Sequence, residues 1–113
     1  MSKELIKILI VDDHPTMIEG YKSILNSNYP TDNLSISIVH SCEMAYHSVT
    51  KINQPFDLVL LDLALPPYEP AKLASGEDLA VLIQKLWKET KIMMLTSHTE
   101  AFILYNLIKK INP

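Results

Sequence analysis

The 113-residue sequence has little cysteine, no excess of positive charge and no long apolar run. Its one cysteine, Cys42, cannot form an intramolecular disulfide, which fits a reducing cytoplasm. The formal net charge of −3 argues against a broad nucleic-acid-binding surface on this chain. No stretch reaches the roughly 20 apolar residues of a membrane span, and the lysine-interrupted apolar run near the amino terminus is a poor signal peptide. We therefore expect a cytoplasmic protein without a membrane segment.

Strand-like apolar runs alternate with helical spacings along the chain. The runs 5–11, 56–61 and 91–96 are almost wholly apolar and predict buried strands, whereas Leu34–Val39 alternates apolar and polar residues and predicts a half-exposed edge strand. Predicted helices follow each strand, at 15–26, at 42–52, from Ser75 and from Ser97. This fourfold alternation predicts one α/β domain with parallel strands and right-handed crossovers.

Aspartates stand at the ends of two of the predicted buried strands. Asp12 and Asp13 follow the first strand, and Asp62 follows the strand at 56–61. Open α/β sheets bind ligands at the carboxyl ends of their strands. Two like charges about 4 Å apart repel by about 4 kcal/mol at an effective dielectric near 20, so three carboxylates do not gather there for stability. A hard divalent cation such as Mg²⁺ would resolve the repulsion. The alternative is that Asp62 only caps a turn.

Three short motifs, each at a strand end, resemble the receiver domain of two-component response regulators. They are residues 10–15 (IVDDHP), 60–66 (LLDLALP) and 94–97 (MLTS), and the resemblance extends from about Ile6 to Ile111. The Asp-Asp-His-Pro form is similar to the subfamily that carries a C-terminal helix-turn-helix DNA-binding domain. The resemblance implies a doubly wound, flavodoxin-like sheet of order 2-1-3-4 over residues 1–113. A fifth strand, its lysine and a fifth helix are absent, so we expect a C-terminally truncated receiver.

The resemblance also implies a phosphoacceptor and a magnesium site. Asp62 would take a phosphoryl group from a phosphohistidine on a sensor histidine kinase. Asp13 and Asp62, with the backbone carbonyl of Ala64, would hold Mg²⁺, and Asp12 would act mainly through a bound water. The metal would neutralise charge on the transferring group.

Two further residues would govern the response to phosphorylation in a protein that resembles a receiver. Thr96 would hydrogen-bond a phosphoryl oxygen and act as the switch, although a threonine that merely ends a strand is the alternative. His98 would modulate hydrolysis of the phosphoryl group. The phosphorylated domain would switch an output, expected to be transcription through a DNA-binding domain that this chain does not contain. We expect no turnover enzyme, and a homodimer or swapped dimer through the exposed edge of the strand at 91–96.

Three other features have competing interpretations. His14 follows the acidic pair, but a capping or surface role is favoured over metal ligation because Mg²⁺ prefers oxygen. Cys42 is expected to be a small buried side chain rather than a thiol of lowered pKa. The segment 66–76 is longer than the family's usual loop and is either a lid or partner contact, or a tolerated surface insertion.

Rival functions make different demands on the same residues. An aspartyl phosphatase or phosphomutase usually carries a second acid two residues after its nucleophile, and Ala64 at that position argues against this class. A pseudo-receiver binding module keeps the fold without phosphorylation. The retention of Asp12, Asp13, Asp62 and Thr96 argues against it for the parent protein, whereas the missing lysine leaves it open for this chain. A single-domain receiver that only relays phosphate remains open from the sequence.

Overall fold

The computed structural model describes residues 5–29, 31–51, 54–63 and 65–95. Ala64, Thr96, His98 and the predicted fourth helix lie outside the described residues. The strands are β1 (Ile6–Val11), β2 (Leu34–Val39), β3 (Leu58–Asp62) and β4 (Lys91–Leu95), and the helices are α1 (Pro15–Asn28), α2 (Cys42–Lys51) and α3 (Gly76–Leu86). Within the described part of the chain, no helix is long and apolar enough to cross a membrane.

All strand pairs in the sheet are parallel, and the spatial order is β2-β1-β3-β4. The predicted doubly wound α/β fold with order 2-1-3-4 is therefore confirmed. The registers align the carboxyl ends of the strands, because Val11 pairs with Val39 on one side and with Leu61 on the other. Asp62 pairs with Leu95 of β4. One edge of the sheet thus gathers the residues that follow each strand.

Successive side chains of β1 enter two different cores. Leu9 and Val11 pack with buried residues of α2 and α3, whereas Ile8 and Ile10 pack with buried residues of α1. The two-residue period of a strand puts neighbours on opposite faces, and helices cover both faces here. This explains why β1 is an unbroken apolar run. At the sheet edge, Val39 is the one buried residue of β2, and the half-exposed edge strand that the alternating pattern predicted is confirmed.

Strand β3 begins two residues later than predicted and takes in Asp62 as its last residue. The shift has a local cause at Asp57, whose carboxylate accepts a hydrogen bond from the Lys7 backbone N–H at 2.8 Å. The Asp57 N–H donates to the Lys7 carbonyl, also at 2.8 Å. Asp57 therefore precedes β3 as a polar residue that is hydrogen-bonded to β1, and the buried strand starts at Leu58.

The segment 66–76 folds back on itself instead of forming an open loop. Tyr68 and Leu73 form an antiparallel bridge with N–H to carbonyl distances of 2.8 and 3.1 Å. A 3-10 turn at Glu69–Ala71 lies between them, and Lys72 closes it with a left-handed φ of 59°. Leu73 is buried in the same core as α2 and α3. The insertion is thus anchored to the domain by an apolar side chain.

Candidate metal centre

The backbone on each side of the aspartate cluster is held by neighbouring strands. The Asp12 N–H donates to the Val39 carbonyl at 3.1 Å, which extends the pairing of β1 with β2 by one step. The Leu63 N–H donates to the Leu95 carbonyl at 3.0 Å, which does the same for β3 and β4. Asp12 follows β1 and Asp62 ends β3, so strand pairing holds both acids in place.

The structure brings Asp12, Asp13 and Asp62 together at this edge. Asp12 is 2% exposed and Asp62 is 6% exposed, whereas Asp13 is exposed to solvent. One oxygen from each carboxylate and one ring nitrogen of His14 all lie within 4.8 Å of one another. Burial of two carboxylates beside a third acid is costly unless a cation balances them. The cluster could therefore hold a metal ion.

His14 joins the carboxylates in a way that its predicted surface role did not include. It occupies the position before α1, yet its side chain makes no capping hydrogen bond. Its ring Nδ1 instead lies 2.7 Å from Asp12 Oδ1, 3.0 Å from Asp13 Oδ1 and 3.4 Å from Asp62 Oδ2. The side chain is still 58% exposed, so the ring covers the cluster from the solvent side.

The carboxylates change the protonation of this ring. The hydrogen bond to Asp12 is the largest cause that raises the pKa of His14 above 6.5, and the negative charge of Asp13 is the next. The Asp12 carboxylate also accepts a hydrogen bond from the His14 backbone N–H at 2.9 Å, which fixes the position of the His14 backbone beside Asp12. The three carboxylates thus favour the protonated, positively charged form of the His14 ring.

Two residues near the cluster were not identified as part of the site from the sequence. His40 follows β2 as Asp12 follows β1, and its Nδ1 lies 3.3 Å from the Asp12 carbonyl oxygen. Gly76 begins α3, and a Cβ atom there would stand 2.6 Å from the Asp62 carbonyl oxygen. The position of His40 at a strand end was a usable indication. The contact of Gly76 depends on how α3 packs, which local sequence does not encode.

The donor set agrees with the chemistry of a hard divalent cation. Asp12, Asp13 and Asp62 supply carboxylate oxygens, the ligands that Mg²⁺ accepts together with water and phosphate oxygens. The other expected contributors, Ala64, Thr96 and His98, lie outside the described residues.

Comparisons with known proteins agree with this architecture. Residues 8–110 match the family described as "Response regulator receiver domain". The chain is 32% identical over 104 residues to the oxygen regulatory protein NreC of Staphylococcus epidermidis, an alignment that covers 92% of this chain and 44% of that protein. The chain therefore spans less than half the length of this curated relative.

Solved structures share the fold. A response regulator receiver domain protein from Clostridium thermocellum is similar with a TM-score of 0.64 and 22% identity, over 96% of this chain and 78% of that one. The RcsB response regulator of Salmonella typhimurium has a TM-score of 0.64 and 19% identity, over 94% of this chain and 48% of that one. With the family match over nearly the whole chain, we conclude that the chain belongs to the response regulator receiver domain family.

Proposed function

We propose that this chain is one phosphoacceptor receiver domain whose nucleophile is Asp62. The observation that carries the proposal is the placement of a 6% exposed carboxylate at the end of a central strand, facing two further acids at the end of its neighbour. A buried nucleophile that touches a cation site is what phosphoryl transfer requires, because catalysis of that reaction consists mainly of positioning and charge stabilisation.

The donor in this proposal is a phosphohistidine of a sensor histidine kinase. A bond forms from an Asp62 carboxylate oxygen to phosphorus while the phosphorus–nitrogen bond breaks. The leaving imidazole keeps the electron pair and takes up a proton. Mg²⁺, when bound, neutralises charge on the transferring group. Asp13 and Asp62, with the Ala64 carbonyl, would hold the ion, and Asp12 would act through a bound water.

The response to phosphorylation uses residues beyond the carboxylates. Thr96 donates a hydrogen bond to a phosphoryl oxygen and serves as the switch, and His98 modulates hydrolysis of the acyl phosphate. The added charge and acceptor oxygens bias a two-state element, as phosphorylation does in general. The domain promotes its own loading and unloading but is not a turnover enzyme.

The output in this proposal is transcription, through a DNA-binding domain outside this chain. Two observations support it: NreC is named as a regulatory protein, and the RcsB structure concerns DNA interaction. We place the whole protein in the cytoplasm, where it meets its kinase. We also propose a homodimer or swapped dimer that forms along β4, whose Met94 is 38% exposed.

Intact-mass measurement tests the phosphoacceptor role. The chain is incubated with Mg²⁺ and a small acyl phosphate beside the variants Asp62→Asn and Asp57→Asn. We expect one phosphoryl group on the wild type and on Asp57→Asn, and none on Asp62→Asn. Asp57 is a matched control because it directly precedes the same strand, at the end opposite Asp62, and its carboxylate accepts a hydrogen bond from the Lys7 backbone N–H. Loading of Asp62→Asn, or no loading of a folded wild type, would refute the proposal.

A further inference from the structure

We propose that His14 is a direct ligand of the ion at this site, so that the site binds a first-row transition-metal ion such as Co²⁺ or Ni²⁺ more tightly than Mg²⁺. This inference rests on the proposed function in so far as both use the same ion site. It adds a nitrogen donor, which strengthens the preference for these ions beyond what three carboxylates supply.

The distances around His14 suit a shared ion. Its Nδ1 lies 2.7, 3.0 and 3.4 Å from one oxygen each of Asp12, Asp13 and Asp62. Ligands about 2.1 Å from one octahedral ion are roughly 3 Å apart when adjacent and roughly 4.2 Å apart when opposite. All four donor atoms lie within 4.8 Å of one another, so small shifts of the exposed Asp13 and His14 side chains bring their donor atoms to the same ion as Asp62, with Asp12 reaching it through water.

The chemistry of the fourth donor sets the metal preference. Mg²⁺ takes oxygen ligands and releases water reluctantly, so it gains little from an imidazole. Imidazole suits ions such as Ni²⁺ and Zn²⁺, and affinity for a given nitrogen and oxygen site rises from Mn²⁺ through Co²⁺ to Ni²⁺ and Cu²⁺. One histidine among carboxylates therefore widens the difference in affinity between these ions and Mg²⁺.

The local backbone holds His14 in reach of the ion. The His14 N–H donates to Asp12 Oδ1 at 2.9 Å, and Pro15 at the first position of α1 restricts the chain that follows. The side chain is 58% exposed, so the ring can adjust to an ion without disturbing the core. The same geometry also fits a rival role, in which the protonated His14 ring neutralises the carboxylates and competes with the metal ion. Any ion must then displace the ring.

Direct metal binding separates the ligand from the competitor. Isothermal titrations of the chain with Co²⁺ and with Mg²⁺, at about pH 8, above the ordinary pKa of imidazole, compare the wild type with His14→Ala and His47→Ala. His47 is an exposed histidine of α2 whose ring contacts Tyr46 and Tyr68, outside the cluster, and it controls for incidental binding by histidine.

If His14 is a ligand, His14→Ala lowers Co²⁺ affinity by about tenfold or more, which is the usual effect of removing a residue that supports a metal site. The same substitution changes Mg²⁺ affinity less than about twofold. Proton NMR of the Co²⁺ form then shows a paramagnetically shifted ring N–H that is lost in His14→Ala and kept in His47→Ala. A rise in affinity for both ions in His14→Ala, or an unchanged Co²⁺ affinity, overturns the inference.

These measurements use no phosphodonor, so they separate this inference from the proposed function. A wild type that binds Co²⁺ through His14 but never gains a phosphoryl group keeps the inference and contradicts the proposed function. If the wild type gains a phosphoryl group on Asp62 but His14→Ala binds Co²⁺ normally, the proposed function is kept and this inference is contradicted.

Discussion

Gly76 lies against the backbone of Asp62 so closely that a Cβ atom would stand 2.6 Å from the Asp62 carbonyl oxygen and 3.2 Å from the Leu63 Cα. Both opposing atoms belong to the backbone, which cannot move aside as a flexible side chain can. The first residue of α3 and the last residue of β3 are therefore packed to the limit, and the absence of a side chain at Gly76 lets α3 begin beside the proposed phosphoacceptor.

The substitution Gly76→Ala should force this contact apart. We expect it to lower the free energy of unfolding by about 1–3 kcal/mol, the usual cost of overpacking, and to slow phosphoryl loading of Asp62. Denaturant unfolding and the intact-mass assay measure the two effects. Gly20→Ala is the matched control, because Gly20 is exposed in the middle of α1 and nothing lies within 4 Å of the position that its Cβ would take. That change should stabilise the domain by about 0.5–1 kcal/mol. Equal effects of the two substitutions would contradict the packing argument.

The pKa of His14 offers a test of the charge at the cluster. In the metal-free chain we expect NMR titration to give His14 a pKa above 6.5, because its ring bonds to Asp12 and faces Asp13. Since folding favours the protonated ring, its stabilising contribution is fully present below about pH 6.5 and is lost as the pH rises through the raised pKa. Asp12→Asn should lower the pKa toward 6.5, whereas Asp32→Asn, an exposed acid in a distant 3-10 turn, should leave it unchanged. An ordinary pKa in the metal-free wild type would show that the ring does not sit on the carboxylates.

Cys42 should be inert in the folded protein. It is 1% exposed at the start of α2, and burial raises the pKa of its thiol, so the reactive thiolate is scarce. The expectation of a small buried side chain is thus confirmed. We expect alkylation by iodoacetamide to be slow in buffer and fast in denaturant, as followed by mass. Rapid labelling of the native chain would mean that α2 opens readily.

A buried hydrogen bond far from the metal site should affect stability alone. The Thr90 hydroxyl donates to the Phe56 carbonyl at 2.6 Å, and Thr90 is 5% exposed. Thr90→Val keeps the shape but removes the donor, which should cost about 1–3 kcal/mol of unfolding free energy. Thr50→Val removes an exposed hydroxyl that bonds within α2 and should cost less than about 0.5 kcal/mol. If both changes cost the same, the Phe56 carbonyl does not depend on Thr90.

The sequence was sufficient to predict the sheet and the meeting of the acids. Apolar runs mark β1, β3 and β4, and parallel order alone brings Asp12 and Asp62 to one edge. The approach of His14 to Asp62, at 3.4 Å, could not be predicted, because it depends on how β3 lies beside β1. The Gly76 contact likewise depends on how α3 packs on β3. The roles of Ala64, Thr96 and His98 remain predictions.

The proposed phosphoacceptor role is tested most directly by locating the phosphoryl group. After exposure to Mg²⁺ and an acyl phosphate, borohydride reduction converts an aspartyl phosphate to homoserine, and peptide sequencing then finds its position. We predict homoserine at position 62 and nowhere else, and none when a chelator removes the metal. Homoserine at position 12 or 13, or its complete absence from a folded chain, would contradict the assignment of Asp62 as the residue that receives the phosphoryl group.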